Sequence, residues 1–495
     1  MRRMQEIELK FQVGEGAREA VEKAVRTASA RRTHLQARYF DTDDGALAAA
    51  GIALRLRKEG RQWVQTLKAG GANAMTRLEH NASVGSREPR GADLQLHAGS
   101  PGEDLLAAAL APRDGEPPPQ LGELFRTDVW RTHRVLRVPG GSVELAFDRG
   151  RIVAGERELP LCELEIELVH GASGAVIEAA RRWVTRHGVW LDVRTKAERG
   201  NRLAHDDASG QAIKAGPSPW HAQMTVNAAC RAALRNCLAQ ILPNASQVAS
   251  GLYTQEHVHQ LRVGMRRLRS ALRFAREWGP QGAVAWDEAL SKLSIRVGAT
   301  RDRDVLATSL EPALQAAGAP PVQWPAPPSG DDPTGLMRAV ETNLLWLDLL
   351  AAANEPVETA ADESPSLVAY ASDRLRRWHR NVVRDWKAFG DLSDEARHRV
   401  RKRAKRLRYA AEFAAPLYPP RAVERYLKRL RPLQECLGNF NDLCMGSTVY
   451  KALADSDARA WFAVGWIAAR REVVLAECAD ALRGFARAKP FWGKD

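Results

Sequence analysis

Two carboxylates and an ammonium alternate near the start of the chain, in the run EIELKF from Glu6 to Phe11. A β-strand puts Glu6, Glu8 and Lys10 on one face and Ile7, Leu9 and Phe11 on the other, because side chains alternate with period two. Similar runs recur. Arg55 and Arg57 share a face of IALRLRK, Lys68 ends WVQTLK, and Arg77 and Glu79 open RLEHNASV. Glu144 and Asp148 alternate in SVELAFDRG, while Glu163, Glu165 and Glu167 face away from Cys162, Leu164 and Ile166 in LCELEIELV. One such strand reads as a half-exposed edge with its charges in water. A whole set of them reads better as the staves of a closed barrel with a wet, charged interior. Guanidinium and ammonium groups bind phosphate oxygens, arginine often bidentately, whereas clustered carboxylates repel a phosphate chain unless divalent cations stand between them. Mixed rings of both therefore suit a metal-bound phosphate chain.

These runs are separated by Gly, Asp and Pro turn clusters and interrupted by two helical stretches, GAREAVEKAVRTAS and SGAVIEAARRWVTRHG, the second ending on Gly188 as a C-cap. Around DDASGQAIKAGPSPW, Asp206 to Trp220, the composition turns small and polar, as in a linker. A length of 495 residues calls for two or three domains. The longest apolar stretch, WFAVGWIAA, is far short of the ~20 residues that span a bilayer. No apolar targeting segment precedes Glu6, so the expected compartment is the cytoplasm. Six cysteines show neither CxxC spacing nor a histidine at ligand distance, which predicts reduced thiols and no zinc site. A net charge of +13 favours polyanionic partners. Residues 1–205 hold 32 Lys/Arg against 28 Asp/Glu and the remainder 41 against 32, so most of the excess is C-terminal.

Beyond the linker the pattern becomes helical, broken by the loops Gly318 to Gly335 and Asn354 to Pro365. An internal repeat divides this region in two: HQLRVGMRRLRSALRF from His259 and HRVRKRAKRLRYAAEF from His398 share the histidine, an Arg at +3, basic residues at +7 and +8, Leu, Arg and a final Phe. GATRD, Gly298 to Asp302, answers GNFND, Gly438 to Asp442. In the first copy His259, Arg262, Arg266, Arg269, Arg273 and Arg276 form one stripe beside an apolar stripe of Val258, Leu261, Met265, Leu268 and Leu272. The second copy carries His398, Arg401, Lys405 and Arg408. Like charges at i, i+4 cost a helix ~0.2–0.5 kcal/mol each, so such stripes call for an anionic ligand. Nucleic acid is disfavoured, since no aromatics for base stacking are interleaved.

Residues 4–205 resemble the CYTH superfamily, the triphosphate tunnel metalloenzymes. EIELKF looks like the ExExK signature, and YFDTDDGALAAAGIALRLRKEG, TLK, RLEHN, FRTDVWR, VELAFDRG, CELEIEL and TKAERG follow in family order. The resemblance implies an eight-stranded antiparallel β tunnel with flanking helices that transforms a linear triphosphate with Mg2+ or Mn2+. By position it implies catalytic roles for Glu6, Glu8 and Lys10, and phosphate contacts at Lys10, Arg55, Arg57, Lys68, Arg77, Arg131 and Lys196. Metal ligands would be Glu6, Glu8, Asp148, Glu163 and Glu165. Glu79, Glu144 and Glu167 are surplus carboxylates, the ELEIE run leaves open which pair ligates, and Arg131 is preferred to Arg126.

From about residue 220 the chain resembles the CHAD domain, the conserved histidine α-helical domain, through HQLRVGMRRLR, HRVRKRAKRLRY, RDRDV and LQECLGNFND. This implies an all-α domain of two pseudo-twofold-related four-helix bundles that binds inorganic polyphosphate through His259, Arg262, Arg266, Arg269, Arg273, His398, Arg401, Lys405 and Arg408. The expectation is thus an α+β chain with a tunnel domain at 1–205, a linker at 206–220 and a helical domain at 221–495. Its expected activity is cleavage of inorganic tripolyphosphate to diphosphate and phosphate, with long-chain polyphosphate as the partner of the helical domain. Thiamine triphosphate hydrolysis, ATP cyclisation and a non-catalytic polyphosphate-binding role stay open as alternatives.

Overall fold

The alternating runs of the N-terminal half close into a barrel. The structure is a computed structural model that describes residues 5–71, 73–112, 119–299, 310–324, 332–355, 365–384 and 386–493. Eight strands, β1 (Gln5–Gln12), β2 (Arg31–Asp41), β3 (Ile52–Glu59), β4 (Gln62–Gly70), β5 (Thr76–Gly85), β6 (Gly122–Val138), β7 (Gly141–Ala154) and β8 (Arg157–Gly171), form one sheet in the order β5-β4-β3-β2-β6-β7-β8-β1. Every pairing is antiparallel, and β1 also pairs with β5, Glu6 opposite Arg77, which closes the ring. A two-residue strand, β9 (Trp190–Leu191), adds to the end of β1.

The expected alternation decides which face is dry. Leu9, Phe11, Leu54, Leu56, Leu145, Phe147, Leu164 and Ile166 are all 2% exposed or less. Burying each such side chain contributes roughly 1.5–3 kcal/mol. Helix α1 (Arg18–Val25) packs on β6 and β7. After the short α2 (Ala46–Ala49) and α3 (Glu103–Ala109), helix α4 (Gly174–His187) lies across β1, β7 and β8 with Val176, Ala180, Trp183 and Val184 buried. It ends on Gly188 at φ 62°, the left-handed cap expected of that glycine.

Strands β2 and β6 were not among the alternating runs, and the burial explains why. The first half of β2 is exposed or half-exposed on both faces. In β6 the buried positions run Phe125, Thr127, Val129 and then shift phase to Thr132.

Helix α5 (Lys196–Ala204) closes one end of the barrel. The Thr195 hydroxyl caps it by accepting from the Glu198 N–H at 2.8 Å. Its Ala197, Leu203 and Ala204 pack on Phe125, Val129, Ile152, Ala154 and Leu161. By parity these five lie on the same strand faces as Arg131, Asp148 and Glu163, so the barrel interior is charged in the middle and apolar beneath α5. Gly200 permits the approach: a Cβ there would run into the Phe125 ring.

Among the described residues, the C-terminal part of the chain is helical. It comprises α6 (Val226–Ser250), α7 (Gln255–Phe274), α8 (Ala283–Ala299), the helices Glu311–Ala316, Pro333–Arg338 and Val340–Asn354, and four more. These four, Leu367–Val383, Asp394–Ala414, Pro420–Ala454 and Ala460–Ala486, pack each on the next, and the last touches the first, forming a four-helix bundle. In α7 the apolar stripe is buried, with Leu261, Met265 and Leu268 at 0% exposure. One compact unit takes in residues 1–214, 238–261 and 333–355, and the other 215–237, 262–332 and 356–495. The RDRDV run lies outside the described residues. No helix among the described residues is long and apolar enough to cross a membrane, and all six cysteines are free thiols.

Candidate active site

The barrel register brings Asp148, Glu163 and Glu165 together. Glu163 on β8 stands opposite Asp148 on β7, and Glu165 stands opposite Lys10 on β1. One oxygen from each of the three carboxylates lies within 4.8 Å of the others. Asp148 is 1% exposed and Glu163 0%. Three cations balance them. Arg131 donates from Nε to Asp148 Oδ1 at 2.7 Å and from Nη2 to Asp148 Oδ2 at 2.6 Å, and also pairs with Glu165. Lys196 Nζ lies 2.7 Å from both Asp148 Oδ2 and Glu165 Oε1 and contacts Glu163. Arg199 pairs with Glu163. Burial alone would raise the Glu165 carboxyl, but Lys196, Arg131 and Lys10 hold it well below the usual range. Burial opposes the charge on Lys196, yet Asp148, Glu163 and Glu165 raise its pKa. Three hard-oxygen donors focused on one point, two of them buried and Glu165 half-buried, are a set that fits a divalent cation.

Of the five expected metal ligands, Glu6 and Glu8 fall outside this trio and form a second group. Lys10 Nζ donates to Glu8 Oε1 at 3.2 Å, and Arg77 Nε lies 3.6 Å from the same oxygen. Lys68 Nζ donates to Glu6 Oε2 at 2.6 Å and lies 3.3 Å from Glu79 Oε2. The environment separates these carboxyls. Burial, reinforced by Glu8 and Glu79 against the pull of Lys68, raises Glu6 to about 7. Burial likewise raises Glu167 to about 8, with Glu6 adding to it. Glu8 goes the other way: burial would raise it, but Lys10, Lys68 and Arg77 bring it to about 2. Glu79 also falls to about 2, because Lys68 and the Asn81 amide outweigh burial. Glu144 pairs with His133 instead, 2.5 Å away.

Arg55 donates from Nη1 to the Tyr39 hydroxyl at 3.4 Å, and Arg57 donates to Glu59 at 2.8 Å. Burial and then the neighbouring Arg55 lower the Arg57 pKa, with Glu59 opposing and Arg131 adding to the repulsion. Arg126 lies on the opposite face of β6 beside Glu123, its side chain 66% exposed. The residues missed by the sequence reading are Arg199 and Tyr39. Arg199 had a signal, because it follows Lys196 by three positions within TKAERG and so shares its helix face.

In the helical half, Arg266 donates from Nε to the Tyr409 hydroxyl at 3.4 Å. Burial first, then Arg401 and Arg266, bring the Lys405 ammonium down to about 7. Burial and Arg266 lower Arg401 too, with Asp442 opposing. The two repeats thus bring Arg266, Arg401 and Lys405 into mutual repulsion. Arg269 and Arg273, by contrast, donate to the two oxygens of Asp287 on α8 at 2.8 and 2.7 Å. Arg408 donates to Gln434 at 3.2 Å, and His398 Nδ1 meets Asn441 Oδ1 at 2.9 Å. Arg262 packs against Gly298, where a Cβ would stand 2.6 Å from its Nη2. His259 lies on α7 one turn before Arg262.

Residues 4–200 match the CYTH domain and residues 232–450 the CHAD domain. An inorganic triphosphatase of Haemophilus influenzae is 30% identical over 168 residues, 33% of this chain and 44% of that protein, so the chain matches less than half of that relative's length. An uncharacterized protein of Mycobacterium tuberculosis is 28% identical over 479 residues, 88% of this chain and 86% of that protein. Among solved structures, the CHAD domain from the plant Ricinus communis covers 57% of this chain and 99% of its own, at 28% identity and a TM-score of 0.47. The chain therefore carries a CYTH domain over residues 4–200, which contains the charged barrel, and a CHAD domain over residues 232–450, which contains the paired basic helices.

Proposed function

We propose that the barrel is a metal-dependent triphosphatase that cleaves inorganic tripolyphosphate to diphosphate and phosphate, and that the helical half binds longer polyphosphate. One observation carries the first reading: Asp148, Glu163 and Glu165 converge inside a barrel that also carries Arg55, Arg57 and Arg131. Cation-binding carboxylates beside guanidiniums are what a metal-bound phosphate chain requires. The partial similarity to an inorganic triphosphatase supports a phosphate chain over a nucleotide.

In this reading Asp148, Glu163 and Glu165 hold a divalent cation, with Glu6 and Glu8 facing it from β1. Bound there, Mg2+ or Mn2+ would neutralise phosphate charge and acidify the attacking water. Lys10, Arg55, Arg57, Lys68, Arg77, Arg131 and Lys196 orient the chain, and phosphoryl transfer needs such positioning more than a covalent nucleophile. Glu6, which burial raises to about 7, stands on β1 as the carboxylate that would take up a proton as water attacks at neutral pH. The helical half holds polyphosphate by the surplus charge of Arg266, Arg401 and Lys405, which Asp442 offsets only in part.

The test is phosphate release from tripolyphosphate, thiamine triphosphate and ATP, each with Mg2+ or Mn2+. Tripolyphosphate should turn over fastest. Turnover confined to either organic triphosphate, or polyphosphate binding with no turnover on any of the three, would reject the reading.

A further inference from the structure

The ammonium of Lys196 stands where a cation belongs. It reaches the three carboxylates at once, 2.7 Å from Asp148 Oδ2, 2.7 Å from Glu165 Oε1 and in contact with Glu163 Oε1. Glu163 Oε1 is buried and accepts no well-aligned hydrogen bond, so it faces the lysine charge alone. The outer oxygens are held separately, Asp148 Oδ1 by Arg131 and Glu163 Oε2 by Arg199. Three negative charges thus meet three positive ones, and the group is neutral.

A divalent cation binds such oxygens at ~2.0–2.6 Å, closer than the 2.7 Å at which the ammonium already sits. Both cannot occupy one focus. We propose that Lys196 is an internal stand-in for the divalent cation, displaced from the three carboxylates when metal binds and thereby released to hold phosphate. This rests on the metal reading given above. It follows that metal entry leaves the carboxylate group with one net positive charge and frees one ammonium in the same event. Metal and phosphate therefore bind cooperatively, with reciprocal coupling. Lysine suits this role because its charge is a compact point on a flexible stem, whereas the planar forks of Arg131 and Arg199 are fixed on their carboxylates.

The test uses the full-length chain freed of metal by chelation, with Mn2+ as the probe. Calorimetric titration should show Lys196→Met binding Mn2+ at least tenfold tighter than wild type, because no ammonium competes, and Lys196→Arg no tighter than wild type. In a second arm on the wild type, reductive methylation followed by mass spectrometry should show Lys196 modified at least fivefold faster with saturating Mn2+, relative to exposed Lys402. Equal or weaker Mn2+ binding by a folded Lys196→Met protein would overturn the proposal. If that variant does not fold, an unchanged methylation rate at Lys196 overturns it. Mn2+ binding that is lost in Asp148→Asn but not tightened in Lys196→Met sinks the exchange and spares the metal site. No Mn2+ binding by either wild type or Lys196→Met sinks both.

Discussion

Raising the pH from 7 to 9 should weaken polyphosphate binding through a single lysine. Lys405 has no hydrogen bond or ion pair to a carboxylate among the described residues, and only Asp442 opposes the effects of burial, Arg401, Arg266 and Arg408 on its ammonium. At ~1.36 kcal/mol per pH unit, the gap between 10.5 and about 7 amounts to ~5 kcal/mol, and solvent screening of this partly exposed side chain reduces it to ~2–3 kcal/mol. A phosphate chain supplies the missing counter-charge and raises the lysine pKa, so binding takes up a proton wherever the free site is neutral. By linkage the dissociation constant then rises by up to tenfold per pH unit above 7, and by roughly 10- to 100-fold at pH 9. Arginines do not titrate in this range. Burial and then Lys402 lower the His398 pKa, away from this range. Stability has the opposite sign: the lowered folded pKa makes the charged lysine costly below 7, and stability is recovered as pH rises from 7 toward 10.5. The assay is polyphosphate affinity at pH 7, 8 and 9 at constant ionic strength, for wild type and Lys405→Met. A flat wild-type profile, or an equally steep one in the variant, would refute the argument.

Glu163→Gln leaves Arg199 and Lys196 short of one buried counter-charge and should cost ~3–5 kcal/mol in urea denaturation while abolishing phosphate release from tripolyphosphate. Gly200→Ala forces α5 off the Phe125 ring; overpacking of this kind costs ~1–3 kcal/mol, read as a lower Tm, and phosphate release should fall with the shift of Lys196 and Arg199. Arg266→Ala combined with Lys405→Ala should weaken polyphosphate affinity at least tenfold in the same titration used for the pH series.

Much of the barrel was legible because period-two alternation is a local property, and β1, β3, β4, β5, β7 and β8 all show it. Strand β2 hid itself by being wet on both faces, and β6 by a phase shift after Val129. Which carboxylates converge was not legible, since it depends on register: Glu163 meets Asp148, and Glu165 meets Lys10, only because β8 pairs as it does with β7 and β1. The closing role of α5 and the need for Gly200 depend on Phe125, far away in the chain. In the helical half the stripe on α7 was visible from spacing, but its division was not. Asp287 on α8 neutralises Arg269 and Arg273, while Arg266 is left facing Arg401 and Lys405 from the second repeat.

The most direct test of the central claim is phosphate release from tripolyphosphate by the full-length chain, measured with Mn2+ or Mg2+, with excess chelator, and with Asp148→Asn. The account predicts turnover with metal, none with chelator, and none in the variant with either metal. Undiminished turnover in Asp148→Asn, or turnover that survives chelation, would contradict it.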